Sequence, residues 1–315
     1  MKIGYHASHE QFSPRDLLEY VQRAERAGFD AATSSDHIMP WSERQGHSGF
    51  SWSWLGAAMA TTSLPFRLVV APGYRYHPVV VAHAAATLQQ MFPDRFAVAL
   101  GSGEALNEHI TGEPWPSKDE RNARLFECAE IMRRLWRGET VTHRGRLTVV
   151  DARLYSLPDR APAIIGAALT EKTAEWMGSW ADGLITVTSP DLRKIIEAFR
   201  RGGGTEKPVI AQAKISWATR EEDAVRGAIE QWNTNVFPSH VGSDLRMPSD
   251  YEKLARDVTE EQVRKAVRIS TDLDQHLNWI RDDLALGIDE LYLHNVNKEQ
   301  RDFIDVFGRE VLRKV

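Results

Sequence analysis

The stretch SSDHIMPWSE places Asp36, His37 and Trp41 within six residues, directly after an apolar run that begins at Phe29. An imidazole titrates near neutrality, so His37 could take or return the proton of a hydroxyl while the carbon beneath it loses or gains a hydride. Asp36 could hold the ring, and Trp41 could wall a flat cofactor or an apolar substrate. Glu104 lies in GSGEALNE, a turn whose glycines let backbone N–H groups approach a ligand while the carboxylate serves as acid or base. Structural alternatives stand beside each role: Asp36-His37 could cap a strand end, and Glu104 could pair with an arginine. Trp52 and Trp54 fit core packing better than ligand contact, and His77, just before Pro78, fits a helix start. The eleven histidines form no HExxH, so no catalytic metal is expected. GxSxG and Walker patterns are missing too, which disfavours serine hydrolases and phosphoryl transfer.

Such residues converge only if the chain repeats one unit. Eight short apolar runs alternate with amphipathic stretches: KIGYHAS from Lys2, FDAATSSDH from Phe29, RLVVAP from Arg67, RFAVALGSG from Arg95, PAIIGAA from Pro162, DGLITVTS from Asp182, PVIAQAKISWA from Pro208 and DELYLHNV from Asp289. Brief, mostly apolar strands suit a parallel sheet covered on both faces. Ser13-Pro14 and Ser189-Pro190 supply helix starts, Ser117 with Glu120 and Thr219 with Glu222 form candidate capping boxes, and Gly28 and Gly287 stop helices. The expected fold is α/β, a (β/α)8 TIM barrel with insertions. An open Rossmann sheet is the alternative, and GSGEAL lacks the third glycine of its fingerprint. Residues 1–315 read as one barrel domain, interrupted near 142–156 by a hairpin and near 233–256 by a loop-rich excursion able to cover the barrel mouth. In such a barrel, Asp36-His37 after the second strand, His6 through Glu10 after the first, Arg75-Tyr76-His77 after the third and Ser102 through Asn107 after the fourth meet at one face.

The bulk composition narrows the classes. Hydrophobic content of 42% with 26% charged residues suits a globular protein with a large core, and a net charge of -5 gives no reason to expect nucleic acid or an anionic membrane. The one cysteine, Cys128, allows neither an intrachain disulfide nor a cysteine zinc cluster. With no apolar run near the ~20 residues of a bilayer span, a cytoplasmic protein is expected.

The segments IGYHASHEQFSP, SSDHIMPW, YRYHP and GSGEALNEHITGEPWP, in this order, resemble the bacterial luciferase-like superfamily of flavin-type oxidoreductases. Within it they are most similar to the branch of coenzyme F420-dependent glucose-6-phosphate and alcohol dehydrogenases, over nearly the whole chain. The resemblance implies a homodimeric barrel binding FMN or coenzyme F420 at its C-terminal mouth, a small-molecule substrate, and His37 as acid-base residue with Asp36, Trp41, Glu10 and Glu104 as companions. It also implies cofactor contacts from Asp36, Ala71, Gly101, Ser102, Gly103, Glu104, Gly166, Ala167 and Ala168, with Arg75 through Pro78 nearby. Two departures stand out. GAALT from Gly166 carries Ala168 and Leu169 where the sugar-phosphate dehydrogenases have paired glycines, which narrows a backbone cradle; and Gly242 and Ala266 replace a lysine and an arginine that grip sugar phosphate, so glucose 6-phosphate is not the expected substrate. A closely similar subgroup is regarded as using flavin. The non-proline cis peptide of the family cannot be assumed in the short segment RLVVAPGYRYHP. Three functions follow: a dehydrogenase or reductase of alcohols and carbonyls, an FMN-dependent monooxygenase, or a non-catalytic flavin-binding barrel.

Overall fold

The computed structural model describes residues 1–315. Eight strands form a closed parallel sheet: β1 (Lys2–Ala7), β2 (Ala31–Ser35), β3 (Phe66–Val70), β4 (Phe96–Leu100), β5 (Ala163–Ala167), β6 (Gly183–Val187), β7 (Val209–Ser216) and β8 (Glu290–Asn295). Each strand pairs with its successor in sequence, and β8 returns to β1 with Lys2 opposite Glu290. These are the eight expected strands, and their closure makes the (β/α)8 barrel. All peptide bonds are trans.

Strand alternation sorts the side chains into two cores. Outward residues such as Ile3, Tyr5, Leu68, Val98 and Leu291 join the helices in a cluster of 60 buried residues. Inward residues Ala31, Ala97, Ala99, Ile165, Ile185, Ile210 and Tyr292 fill the barrel. The Tyr292 ring lies across β1 at Gly4, where a Cβ would stand 2.3 Å from ring carbons, so only glycine admits it. At the N-terminal end of the barrel, Tyr292 Oη donates to Glu290 (2.7 Å) and Arg67 Nη2 donates to the same carboxylate (2.8 Å). This network plugs the floor and leaves the opposite rim for ligands.

Helix Pro14–Ala27 shows how the sequence sets an element. Ser13 Oγ accepts from the Asp16 N–H, proline opens the first turn, Leu17, Val21 and Ala24 are buried, and Gly28 ends it at φ 97°. Other expected starts differ. Helix Leu192–Phe199 begins after Ser189-Pro190, because the Ser189 carbonyl is taken by Leu192 N–H in a preceding turn (3.1 Å). The capping position of helix Glu221–Trp232 is Arg220, so Thr219 lies one residue too early to cap it.

The hairpin Val141–Arg144 with Thr148–Ala152 lies outside the barrel. The chain after Trp232 forms short helices at Ser239–Gly242 and Pro248–Leu254, laid over the rim. The Ser243 carbonyl accepts from Ala105 N–H (2.8 Å) and Glu252 accepts from Glu43 N–H (3.0 Å), which ties this excursion to the loops after β4 and β2. None of the helices is long and apolar enough to cross a membrane.

Candidate active site

His37 lies just past the end of β2, at the C-terminal rim. Its backbone is fixed from several sides: Ser48 Oγ donates to its carbonyl (2.7 Å), Asn107 Oδ1 accepts from Ile38 N–H (3.0 Å), and Arg75 Nη2 donates to the Asp36 carbonyl (2.6 Å). Glu10, from the loop after β1, brings Oε1 within 3.0 Å of His37 Nδ1. Ser8 and Ser35 donate to the two oxygens of that carboxylate (2.8 and 2.5 Å). His37 Nε2 has no partner in the protein. Trp41 packs edge-on against the imidazole at 4.9 Å, and Tyr251 of the excursion packs on Trp41 at 5.3 Å.

The electrostatics follow from burial against pairing. Burial lowers the His37 pKa, but the charge and contact of Glu10, with a contribution from Glu104, raise it above its ordinary value. Burial raises Glu10, yet the charge and contact of His37 outweigh it and hold the carboxyl well below its usual range, helped by Ser35 and His6. Each group thus favours the charged form of the other, proton on the imidazole and charge on the carboxylate. Burial raises Glu104 despite His37, Lys118 and Lys214, and raises Asp36 despite Arg75. Glu108, whose oxygen accepts from Arg75 N–H (2.9 Å), is pushed up to about 7 by burial. His6 and His9 fall to about 4 by burial and are neutral at pH 7.

Next to this cluster the rim carries small residues. Ala71, Gly101 and Ala167 follow or end β3, β4 and β5 in one row, all partly exposed, with Leu100 paired to Gly166 in the register below. A Cβ on Gly101 would meet nothing nearer than the Ala167 methyl at 3.8 Å, so its missing side chain leaves open space. Gly103 has φ 80°, and a Cβ there would press on Glu108, Ala71 and Trp115 at 3.1–3.3 Å. Ser102 Oγ accepts from Lys118 Nζ. Small side chains thus form a shelf at the rim that also carries the imidazole, with room for a flat ring.

At two of the expected contacts the side-chain position turns away from the rim. Gly166 faces outward: a Cβ would sit 2.6 Å from Met177 Sδ, so its glycine serves helix packing, and it cannot present a side-chain face to a ligand. Ala168 is 3% exposed and turns its methyl into the outer core, so of the two residues expected to narrow the cradle only Leu169, 49% exposed, extends outward. Trp54 packs on Phe66 and Trp52 on Phe96, and His77 accepts from Val79 N–H at the start of helix Pro78–Met91. The rim also carries His294 and Lys214, which the sequence reading did not single out, beside the inward-facing His6, which it placed at the mouth. A signal existed, because Gln212 and Lys214, and Glu290, Tyr292 and His294, are polar or bulky at alternate positions of otherwise apolar strands and so must face the barrel interior.

The model of luciferase-like monooxygenases matches residues 1–290. The chain belongs to the luciferase-like monooxygenase family. Among relatives, it is 34% identical to an F420-dependent glucose-6-phosphate dehydrogenase of Intrasporangium calvum, covering 99% of this chain and 98% of that protein. It is 35% identical to one of Mycolicibacterium gilvum, covering 100% and 99%. The structure of an F420-dependent secondary alcohol dehydrogenase in complex with an F420-acetone adduct superposes with a TM-score of 0.91 at 32% identity, over 99% and 98% of the two chains. The monooxygenase RslO1 from Streptomyces bottropensis, 21% identical with a TM-score of 0.72 over 100% of this chain and 99% of that one, shares the fold. This member of the family is an oxidoreductase.

Proposed function

We propose that the protein is a dehydrogenase that binds the deazaflavin F420 on the Ala71–Gly101–Ala167 shelf and interconverts a secondary alcohol and its ketone. One observation carries the reading: His37 has Nδ1 against an ionised, doubly hydrogen-bonded carboxylate and Nε2 without a protein partner. Glu10 favours the tautomer with the proton on Nδ1, which leaves the Nε2 lone pair to receive a hydroxyl proton. The imidazolium formed gains the Glu10 charge. In the opposite direction the same nitrogen returns the proton to the carbonyl oxygen. When bound, the deazaflavin ring supplies the acceptor or donor of the hydride.

The residues present fit that group. Gly101 leaves the shelf open, and at its edge Lys118 bonds Ser102 while the Arg121 guanidinium stacks on Trp115 at 4.5 Å with a buried, unpaired Nε. These cations would hold the acidic tail of the cofactor. Ala168, with its methyl in the outer core, removes one obstacle expected there. Resemblance to both the glucose-6-phosphate and the secondary alcohol dehydrogenases supports F420, and Gly242 and Ala266, in place of the lysine and arginine of the former, favour a substrate without a sugar phosphate.

The test is His37→Ala. Fluorescence titration should give F420 affinity within about threefold of the parent, while alcohol turnover falls about a hundredfold or more. Unchanged turnover refutes the role of His37. Binding of FMN in preference to F420, with oxygen consumption coupled to substrate, refutes the deazaflavin reading in favour of a monooxygenase.

A further inference from the structure

Lys214 is the inward-facing residue near the end of β7. Ile210 lies on the barrel side with it, while Ala211, Ala213 and Ile215 belong to the outer core. It pairs in register with His294 of β8, whose ring lies 4.4 Å from that of His6 on β1. Lys214, His294 and His6 thus form one row on three adjacent strands, on the side of the rim that carries Glu10 and His37. The side chain as a whole is half-buried, its ammonium is desolvated, and Nζ lies 5.6 Å from the centroid of the Trp232 ring. It forms no ion pair, and Glu104 is the one acid whose charge reaches it. The histidines beside it are neutral, and Nδ1 of each is buried without a partner. A desolvated ammonium without a counter-ion, next to unpaired polar nitrogens, is costly unless a ligand completes it.

We propose that Lys214 binds an anionic group of the substrate, and that this group is a carboxylate close to the reacting carbon, as in 2-hydroxy and 2-oxo acids. The proposal rests on the alcohol–ketone reading above. One ammonium matches one negative charge. A phosphate dianion would enter a mouth already holding Glu10, Asp36 and Glu104, where its second charge meets repulsion. Trp232 and the neutral imidazoles wall the subsite without adding charge.

The experiment compares matched ligands on cofactor-loaded parent, Lys214→Met and Lys214→Arg proteins: acetone against pyruvate, and dihydroxyacetone against its phosphate, each followed by perturbation of cofactor absorbance. Calorimetric titration of the cofactor-free proteins with pyruvate reads the same subsite should no flavin or deazaflavin bind, which separates failure of this proposal from failure of the functional reading. The parent should bind pyruvate at least about tenfold more tightly than acetone. Lys214→Met should weaken pyruvate by about ten- to a hundredfold, the range of a charge-assisted hydrogen bond, and leave acetone within about threefold. Lys214→Arg should retain most of the preference. An unchanged pyruvate-to-acetone ratio in Lys214→Met overturns the proposal, and so does a larger gain from phosphate than from carboxylate in the parent. Acetone binding by Lys214→Met shows that its site is folded.

Discussion

Replacing Glu10 with glutamine keeps its shape and removes its charge, so it isolates what the carboxylate does to His37. At 3.0 Å and an effective dielectric constant of about 20, the attraction is at most about 5.5 kcal/mol, and burial of both groups opposes it. The net effect of such a partner is about 1–3 pKa units, or ~1.4–4 kcal/mol. His37 is raised above its unfolded value of 6.5, so its stabilising contribution is complete below that pH and is lost as pH rises through the folded pKa. Glu10 is depressed below 4.5, so its contribution is present above that value and lost as pH falls through the folded pKa. The pair is strongest between those limits. Alcohol oxidation needs neutral His37, so its rate should climb as pH passes through the raised pKa. In Glu10→Gln that limb should move to lower pH, with a maximal rate lowered about ten- to a hundredfold because the Nδ1 tautomer is no longer enforced. The assay is kcat against pH from 5 to 9 on one secondary alcohol. A limb that stays in place, or moves to higher pH, refutes the coupling.

Further outcomes follow from neighbouring sites. Gly101→Val should fold normally, since its Cβ has space, yet weaken F420 binding about tenfold or more by fluorescence titration. Gly166→Ala should do the reverse: F420 binding persists, while chemical denaturation reads a loss of about 1–3 kcal/mol from crowding Met177. Arg67→Met strips Glu290 of its closest cation on the barrel floor, and thermal unfolding should report a loss of about 3 kcal/mol with the pH profile of turnover unchanged. Glu108 binds a proton more tightly folded than unfolded, so its contribution to stability declines as pH rises from about 4.5 to about 7. Glu108→Gln should flatten that decline, by about 3 kcal/mol at most, in denaturation curves taken across this range.

The strands were legible because a parallel barrel buries both faces of each strand, so apolar runs and their punctuation mark them directly. Asp36, His37, Trp41, Glu10 and Glu104 could be singled out because loops at one rim converge whatever the detailed packing. The outward direction of Gly166 and Ala168 was not legible for a different reason. A one-residue change in strand phase flips a side chain from rim to core, and a short run such as GAALT carries no alternation to fix that phase. Lys214 and His294 lay hidden inside apolar strands, visible only through the polar residues two positions before them. Helix starts at Ser189 and Thr219 failed because capping depends on where the preceding turn ends, which tertiary contacts decide.

The most direct measurement is a crystal structure of the protein soaked or grown with F420. The tricyclic ring should lie against Ala71, Gly101 and Ala167, with His37 Nε2 facing the space where an alcohol would meet the ring. A ring bound elsewhere, or an imidazole turned away from it with Glu10 disengaged, would contradict the account.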